Sequence, residues 1–234
     1  AGNSLLISPM KLYEKKLIDY NDVERGLDCD PRRVDFGMVY EFKKKLHRKA
    51  FENFKKQDLH QSSDFKKFEE ENSDWLEDYA LFMACKEYHN GKLWTEWEEE
   101  IAFRKNGAIE KWKKNLSDEV LYHKFLQFEF FSEWLELKNY ANKKEIKIIG
   151  DMPIYVSYDS SDVWANKELF TVDEKGKLEF VAGVPPDYFS PTGQLWGNPL
   201  YRWDVMKKDK FAWWKKRTAA LLKLFDIIRI DHFR

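Results

Sequence analysis

The sequence is poor in cysteine, in long apolar runs and in any excess of one charge. Neither of its two cysteines, Cys29 and Cys85, has a neighbouring cysteine or histidine at the spacing of a zinc site. We therefore expect no disulfide framework and no zinc site. No stretch approaches the roughly 18 apolar residues that span a bilayer, and residues 1–6 lack the basic region of a signal peptide. These absences predict a cytoplasmic protein with no membrane partner.

The charge balance argues against nucleic acid as a partner. The chain has 40 basic and 41 acidic residues, a net charge of −1, and so has no overall field to hold a polyanion. What it has in quantity is apolar and aromatic side chains, at 43% and 17% of its 234 residues. A chain of this length buries about 70–75% of its extended surface on folding. We therefore expect a globular protein with a substantial core.

Residues 1–145 have the apolar periodicity of helices. Apolar residues recur at helical spacing over 75–83 and from residue 36 onward. A further helix of about 25 residues begins at Ser117, with Asp118 and Glu119 in its first turn, where the helix dipole favours negative charge. We predict a mainly helical region that ends near residue 145.

Residues 146–234 have the pattern of an α/β fold. Residues 146–149 read as a strand that ends at Gly150-Asp151, and Ile227–Ile230 read as a second strand that ends at Asp231. Between them we predict a small hairpin around residues 173–176, a long loop region and a helix over 211–225. The order strand, helix, strand predicts a parallel pair with a crossover connection.

Two aspartates stand where catalytic residues of parallel folds are usually found, at the carboxyl ends of strands. Asp151 follows the first predicted strand, and Asp231 follows the second. Arg229 and Asp231 share a strand face because side chains alternate with a period of two. The guanidinium would keep Asp231 ionised, as a nucleophile needs. The alternative, an Arg–Asp salt bridge that only ties strands together, stays open.

The segment 183–199 combines rigid backbone with polar and aromatic side chains. Glycines and prolines restrict its shape. It carries groups suited to sugars, whose hydroxyls bind carboxylates and amides and whose C–H faces lie against rings: Asp187, Tyr188, Phe189, Gln194, Trp196 and Asn198. A rigid loop that only packs for stability, with Trp196 in the core, is the other interpretation.

Five motifs follow one another in this half of the chain: Ile149-Gly150-Asp151-Met152-Pro153-Ile154-Tyr155-Val156, Asp162-Val163-Trp164-Ala165-Asn166, Val181-Ala182-Gly183-Val184-Pro185-Pro186-Asp187-Tyr188-Phe189-Ser190, Gly193-Gln194-Leu195-Trp196-Gly197-Asn198-Pro199-Leu200-Tyr201 and Arg229-Ile230-Asp231-His232-Phe233-Arg234. Together they resemble the 4-α-glucanotransferases, also called amylomaltases or disproportionating enzymes, of glycoside hydrolase family 77 in the α-amylase clan. Before residue 146 the resemblance is looser.

The resemblance implies a partial (β/α)8 TIM barrel with large helical insertions. It implies transfer of α-1,4-glucan segments between maltooligosaccharide chains by a retaining double displacement. We expect no metal and no cofactor, because a pair of carboxylates can carry this reaction. Asp231 matches the nucleophile and Arg229 the arginine that holds it ionised. His232 and Asp151 match donor-subsite residues, and Asp187 with the loop through Phe189, Gln194 and Trp196 matches an acceptor-side loop. Tyr188 and Asn198, in the same loop, complete our predicted substrate-binding set.

A second catalytic carboxyl group has no counterpart in the chain. A retaining enzyme needs one as acid and base, about 5–5.5 Å from the nucleophile. Since residue 1 is not methionine and the chain stops three residues after Asp231, we expect both ends to be truncated and the chain alone to be inactive. The missing carboxyl-terminal part is then an expected partner. A hydrolase of the same clan and a non-catalytic glucan-binding module are the alternatives.

Overall fold

The computed structural model describes residues 1–24, 26, 30 and 32–230 of the chain. These residues pack into two units. The first contains the described residues of Ala1–Leu81 together with Leu116–Leu137. The second contains Phe82–Asn115 and the described residues from Lys138 onward. The predicted boundary near residue 145 separates a helical region from a strand-bearing one, and as a domain boundary it stays a prediction.

Helices dominate the described residues, and the strands come after residue 148. The α-helices are α1 (Pro9–Glu14), α2 (Tyr20–Glu24), α3 (Phe36–Lys56), α4 (Ser63–Glu71), α5 (Leu76–Tyr88), α6 (Glu99–Ala102), α7 (Ala108–Asn115), α8 (Ser117–Lys143), α9 (Ser161–Ala165), α10 (Trp203–Lys208) and α11 (Ala212–Leu224). Short 3-10 helices span Ser4–Leu6, Leu59–Gln61, Trp94–Glu96 and Lys167–Leu169. The strands are β1 (Ile149–Met152), β2 (Val181–Val184), β3 (Gln194–Pro199) and β4 (Ile227–Ile230). No helix in the described residues is both long and apolar enough to cross a membrane.

The first unit is built on α3 and α8, and both predicted helices are confirmed. The Asp35 side chain caps α3 by accepting the backbone N–H of Met38 at 3.0 Å. Apolar side chains spaced three or four apart on each helix meet in one core, where the Phe54 and Phe125 ring centroids lie 4.8 Å apart. The fully buried members of this core are Ile7, Leu12, Leu17, Ala50, Phe51, Phe54, Phe65 and Phe125.

The second unit contains the predicted parallel pair, but its first strand begins three residues later than predicted. β1 begins at Ile149 and pairs with β4 in the register Ile149↔Ile227 and Met152↔Ile230. The residues before it are held differently. Ile146 donates to the Ala141 carbonyl at the end of α8, and Ile148 donates to the Asp226 carboxylate at 2.9 Å. Asp151 therefore lies within β1 rather than after it.

The segment 183–199 is a β-hairpin rather than a loop. β2 and β3 pair antiparallel, with Val184 opposite Gln194 and a register shift between Val181 and Gly183. The hairpin predicted around residues 173–176 is present as a tight turn with a single bridge, between Val172 and Leu178. Sequence pattern missed β2 and β3 because glycine and proline occur in and beside them, a composition typical of loops.

Two histidines are buried in the first unit as neutral rings. Burial lowers the pKa of His47, on α3, to about 4, and the nearby Lys43 contributes. Burial also lowers the pKa of His123, on α8, to about 3, with Arg48 and Lys44 contributing. An unfolded histidine titrates near pH 6.5. Between that pH and the folded pKa values, the unfolded chain binds protons that the folded chain does not.

This difference predicts that acid destabilises the fold. The stabilising contribution of the neutral rings is fully present above pH 6.5 and is lost as the pH falls toward 4. Between pH 7 and pH 5 each histidine should lower the free energy of unfolding by about 1–2 kcal/mol. We expect a His47→Gln variant to lose correspondingly less over that range in urea unfolding followed by circular dichroism. Equal losses for the variant and the original chain would contradict the assignment.

Candidate active site

Asp151 and Arg229 face each other across the parallel pair. The register of β1 and β4 places them opposite one another. Arg229 donates from Nε to Oδ1 and from Nη2 to Oδ2 of Asp151, each at 2.7 Å, which is the bidentate geometry that suits a guanidinium and a carboxylate. Both side chains are more than half exposed, at 60% and 57%. The pair is therefore open to a ligand.

The predicted partner of Arg229 on its own strand, Asp231, lies outside the described residues, as does His232. The salt bridge that the structure describes joins Arg229 to Asp151 on the neighbouring strand, and the predicted pairing of Arg229 with Asp231 stays a prediction. Strand periodicity predicts which side chains share a face of one strand. It carries no information on which residue of a neighbouring strand lies opposite, because that depends on register.

Three predicted residues form the turn between β2 and β3. Asp187 accepts the backbone N–H groups of Phe189 and Ser190 through one carboxylate oxygen, Oδ1, at 2.9 Å each. This side-chain turn holds Tyr188 and Phe189 out from the hairpin, with 97% and 86% of their surfaces exposed. The two rings meet edge to face at 5.6 Å. Exposed aromatic faces of this kind suit contact with a sugar ring.

The other three predicted residues, Gln194, Trp196 and Asn198, lie on β3. Between the last two, Gly197 has a φ of +75°, and the pairing of β3 with β2 shifts register in this part of the hairpin. Trp196 donates from Nε1 to the Gln194 side-chain oxygen at 3.0 Å. Asn198 donates from Nδ2 to the carbonyl of Val156 at 2.8 Å. Asn198 and the ring of Trp196 thus both contact the residues that follow β1.

We call residues 153–156, which follow β1, the exit segment. Its aromatic residue, Tyr155, is not among the predicted site residues, and its ring lies 6.1 Å from that of Trp196. Tyr155 also stacks on Tyr201 at 5.8 Å, with 15° between the planes. Burial raises the pKa of the Tyr201 hydroxyl to about 12, so it keeps its proton and can donate to the exit segment. The motif around Asp151 was the only sequence signal that included Tyr155.

No cluster of three or more metal-ligating side chains occurs among the described residues. A cavity of about 260 Å³ lies elsewhere in the second unit. Its lining consists of Ala102, Phe103, Arg104, Trp164, Ala165, Lys167 and Glu168. None of the predicted site residues lines this cavity, so the candidate site is the open region around the Asp151–Arg229 pair and β3.

An exposed carboxylate–guanidinium pair on parallel strands and exposed aromatic rings on a hairpin of the same unit are groups that suit a carbohydrate ligand. The family model described as 4-alpha-glucanotransferase, glycoside hydrolase family 77, matches residues 1–234. The chain belongs to this family.

Individual relatives agree over the whole chain. The 4-alpha-glucanotransferases of Clostridium butyricum and Synechocystis are 49% and 48% identical to all of this chain, which covers 48% and 47% of those proteins. The solved amylomaltase from Streptococcus agalactiae in complex with acarbose is 41% identical, with a TM-score of 0.93 over all of this chain and 47% of its own. A Corynebacterium glutamicum amylomaltase, 17% identical with a TM-score of 0.72, supports the fold alone. The chain spans about half the length of the curated relatives it matches.

The exposure of the Asp151–Arg229 pair predicts that it adds little to stability. An Asp151→Asn substitution should change the free energy of unfolding by less than about 1 kcal/mol. A less exposed pair in the same unit provides the contrast. Lys86 Nζ donates to Asp159 at 2.6 Å and to the carbonyls of Gly91 and Lys92, with its side chain 17% exposed.

Lys86→Met removes all three hydrogen bonds and should cost about 2–4 kcal/mol in the same denaturant titration. An equal or greater loss in Asp151→Asn would show that the exposed pair is a structural tie between the strands rather than a site open to ligand.

Proposed function

We propose that this chain is part of a 4-α-glucanotransferase that transfers segments of α-1,4-glucan to an acceptor glucan or glucose. The match of the family model to residues 1–234 is the observation that carries the proposal. The solved amylomaltase from Streptococcus agalactiae, which was determined with acarbose, supports it. The substrates would be maltooligosaccharides and longer α-1,4-glucans.

The fold that we propose for the whole enzyme is a (β/α)8 barrel with large helical insertions, of which this chain supplies a part. The parallel pairing of β1 with β4 supports it, because barrel strands are parallel and are joined by helices. The TM-score of 0.93 to an amylomaltase over about half its length supports it as well. In a barrel, the carboxyl ends of these strands would open into the active site.

The reaction that we propose is a retaining double displacement with Asp231 as the nucleophile. Its carboxylate attacks the anomeric carbon, and the glycosidic bond breaks as an acid protonates the leaving sugar oxygen. A sugar hydroxyl then displaces the carboxylate and returns its proton to the same group, now a base. Arg229 would hold Asp231 ionised by its positive charge.

Substrate contacts are proposed on both sides of the cleaved bond. Asp151 and His232 would bind the donor sugar. The hairpin would bind the acceptor through Asp187, Tyr188, Phe189, Gln194, Trp196 and Asn198. Support comes from the exposure of the two aromatic rings at the turn and of the Asp151 carboxylate. For Asn198, whose amide nitrogen holds the exit segment, the side-chain oxygen is the group that would meet a hydroxyl.

The second carboxyl group that acts as acid and base has no match in the chain. Because the chain covers 48% of its Clostridium butyricum relative, we propose that the carboxyl-terminal part supplies this group and that residues 1–234 alone do not catalyse transfer. A cytoplasmic location also stays a proposal, since the potato relative is described as chloroplastic or amyloplastic.

Product chromatography after incubation with maltotriose tests the function. The chain would be compared with a chimera in which the carboxyl-terminal part of the Clostridium butyricum relative follows it. We expect glucose together with maltopentaose and longer chains from the chimera, and nothing from the chain alone. Glucose with maltose would instead indicate a hydrolase. Binding of maltopentaose without any product from the chimera would indicate a glucan-binding module.

Replacing the proposed nucleophile should abolish the reaction but not binding. In the chimera, Asp231→Asn should lower transfer by at least about a thousandfold, because an amide cannot form the covalent intermediate. Its affinity for maltopentaose, measured by calorimetry, should stay within about threefold. Asp204→Asn, an equal change of charge at an exposed position on α10, is the control and should leave transfer unchanged. Full activity in Asp231→Asn would refute the assigned role.

A further inference from the structure

The exit segment is held by side chains that come from elsewhere in the second unit. Three of its four backbone carbonyls accept a hydrogen bond from such a side chain. Arg217 donates from Nη2 to Pro153 at 2.6 Å, Tyr201 donates from Oη to Ile154 at 2.7 Å, and Asn198 donates to Val156 at 2.8 Å. These residues belong to no strand, so the side chains take the place of a ladder in fixing the backbone.

Arg217 and Tyr201 are hydrogen-bonded to each other and hold the exit segment together. Arg217 donates from Nη1 to the Tyr201 hydroxyl at 3.1 Å, and that hydroxyl in turn donates to the exit segment. The guanidinium lies 5.3 Å from the ring centroids of both Trp213 and Trp214, its neighbours on α11. A planar fork packed in this way can serve two acceptors at once, which a lysine ammonium on a flexible stem does less well.

The ring of Tyr155, in the exit segment, connects Tyr201 to the β2–β3 hairpin. Tyr155 stands between the two carbonyls held by Tyr201 and Asn198. One face of its ring stacks on Tyr201, and the ring also meets Trp196. Because the segment has no ladder of its own, loss of the Arg217 hydrogen bonds would let Tyr155 shift and would change its position relative to Trp196.

We infer that Arg217 is a positioning residue for glucan binding. It acts through Tyr201 and through the carbonyls of Pro153 and Ile154. It holds Tyr155 against Trp196, so that this aromatic pair keeps the orientation that the C–H face of a sugar requires. Arg217 does not touch the glucan in this arrangement. The inference rests on the proposed function, because it concerns the same site.

A positioning role and a merely structural role make different predictions. If Arg217 only stabilised the fold, its replacement would lower the free energy of unfolding and leave the kinetics of the folded enzyme unchanged. If it positions the aromatic pair, replacement should raise KM, since ground-state contacts with the glucan are weakened. The turnover number should then change little, because Asp231 and the acid are untouched.

The kinetic test uses the chimera with maltotriose as substrate. Arg217→Gln should raise KM about tenfold and change kcat by less than about threefold. Tyr201→Phe keeps the stacked ring but removes the hydroxyl, and it should raise KM about fivefold. Arg217→Lys keeps the charge and should restore only part of the loss. Lys216→Gln removes a charge from the exposed neighbouring position on α11 and should match the unmodified enzyme.

A second measurement addresses the local geometry in the 234-residue chain itself. Hydrogen exchange followed by mass spectrometry should show faster exchange in a peptide that covers the exit segment for Arg217→Gln, but not for Lys216→Gln. Circular dichroism would confirm that each variant is folded. If Arg217→Gln does not fold, Tyr201→Phe takes its place in this measurement.

The outcomes separate this inference from the proposed function. An unmodified chimera that neither transfers nor binds glucan would refute the proposed function, and the inference with it. An active chimera in which Arg217→Gln and Tyr201→Phe leave KM unchanged would overturn the inference alone. A fall in kcat at constant KM would also overturn it, because that result places Arg217 in the chemical step.

Discussion

The parallel pairing of β1 with β4 is the contact on which the candidate site depends. Parallel partners come from distant parts of a chain and are joined by a crossover. Their register sets Asp151 opposite Arg229. A slip of one residue would turn every side chain of one strand to the other face and would separate the guanidinium from the carboxylate. The same register fixes the position at which the exit segment begins.

Beyond the strands, the site is held by side chains that bind backbone. Helix α11 leads into β4, and its Arg217 also reaches the residues after β1, so one helix is tied to both strands of the parallel pair. Asn198 ties the hairpin to the same segment. Tyr155 therefore stands on a segment in which three of the four backbone carbonyls accept a side-chain hydrogen bond, and such bonds restrict the backbone.

Periodicity predicted the long helices well and the short strands less well. α3 and α8 begin where predicted because the apolar spacing of each agrees with the signal at its start, the cap Asp35 for α3 and the acidic first turn for α8. The first strand was misplaced because its β-branched residues begin before the backbone is free to pair. Ile146 and Ile148 are held by the end of α8 and by Asp226. The β2–β3 hairpin was missed because its pairing offsets a glycine-rich composition typical of loops.

By itself the sequence determined the helices α3, α5, α8 and α11, the strand β4 and the order of motifs that marks the family. It also singled out Asp151, Arg229 and the adjacent residues Tyr188 and Phe189 as suited to binding carbohydrate. Only the tertiary structure decided that Asp151 is a partner of Arg229, that Asn198 binds the backbone after β1, and that Arg217 matters to this region at all. The physical reason is that spacing along a chain specifies a face of a helix or strand, whereas register and packing between distant segments specify the partner.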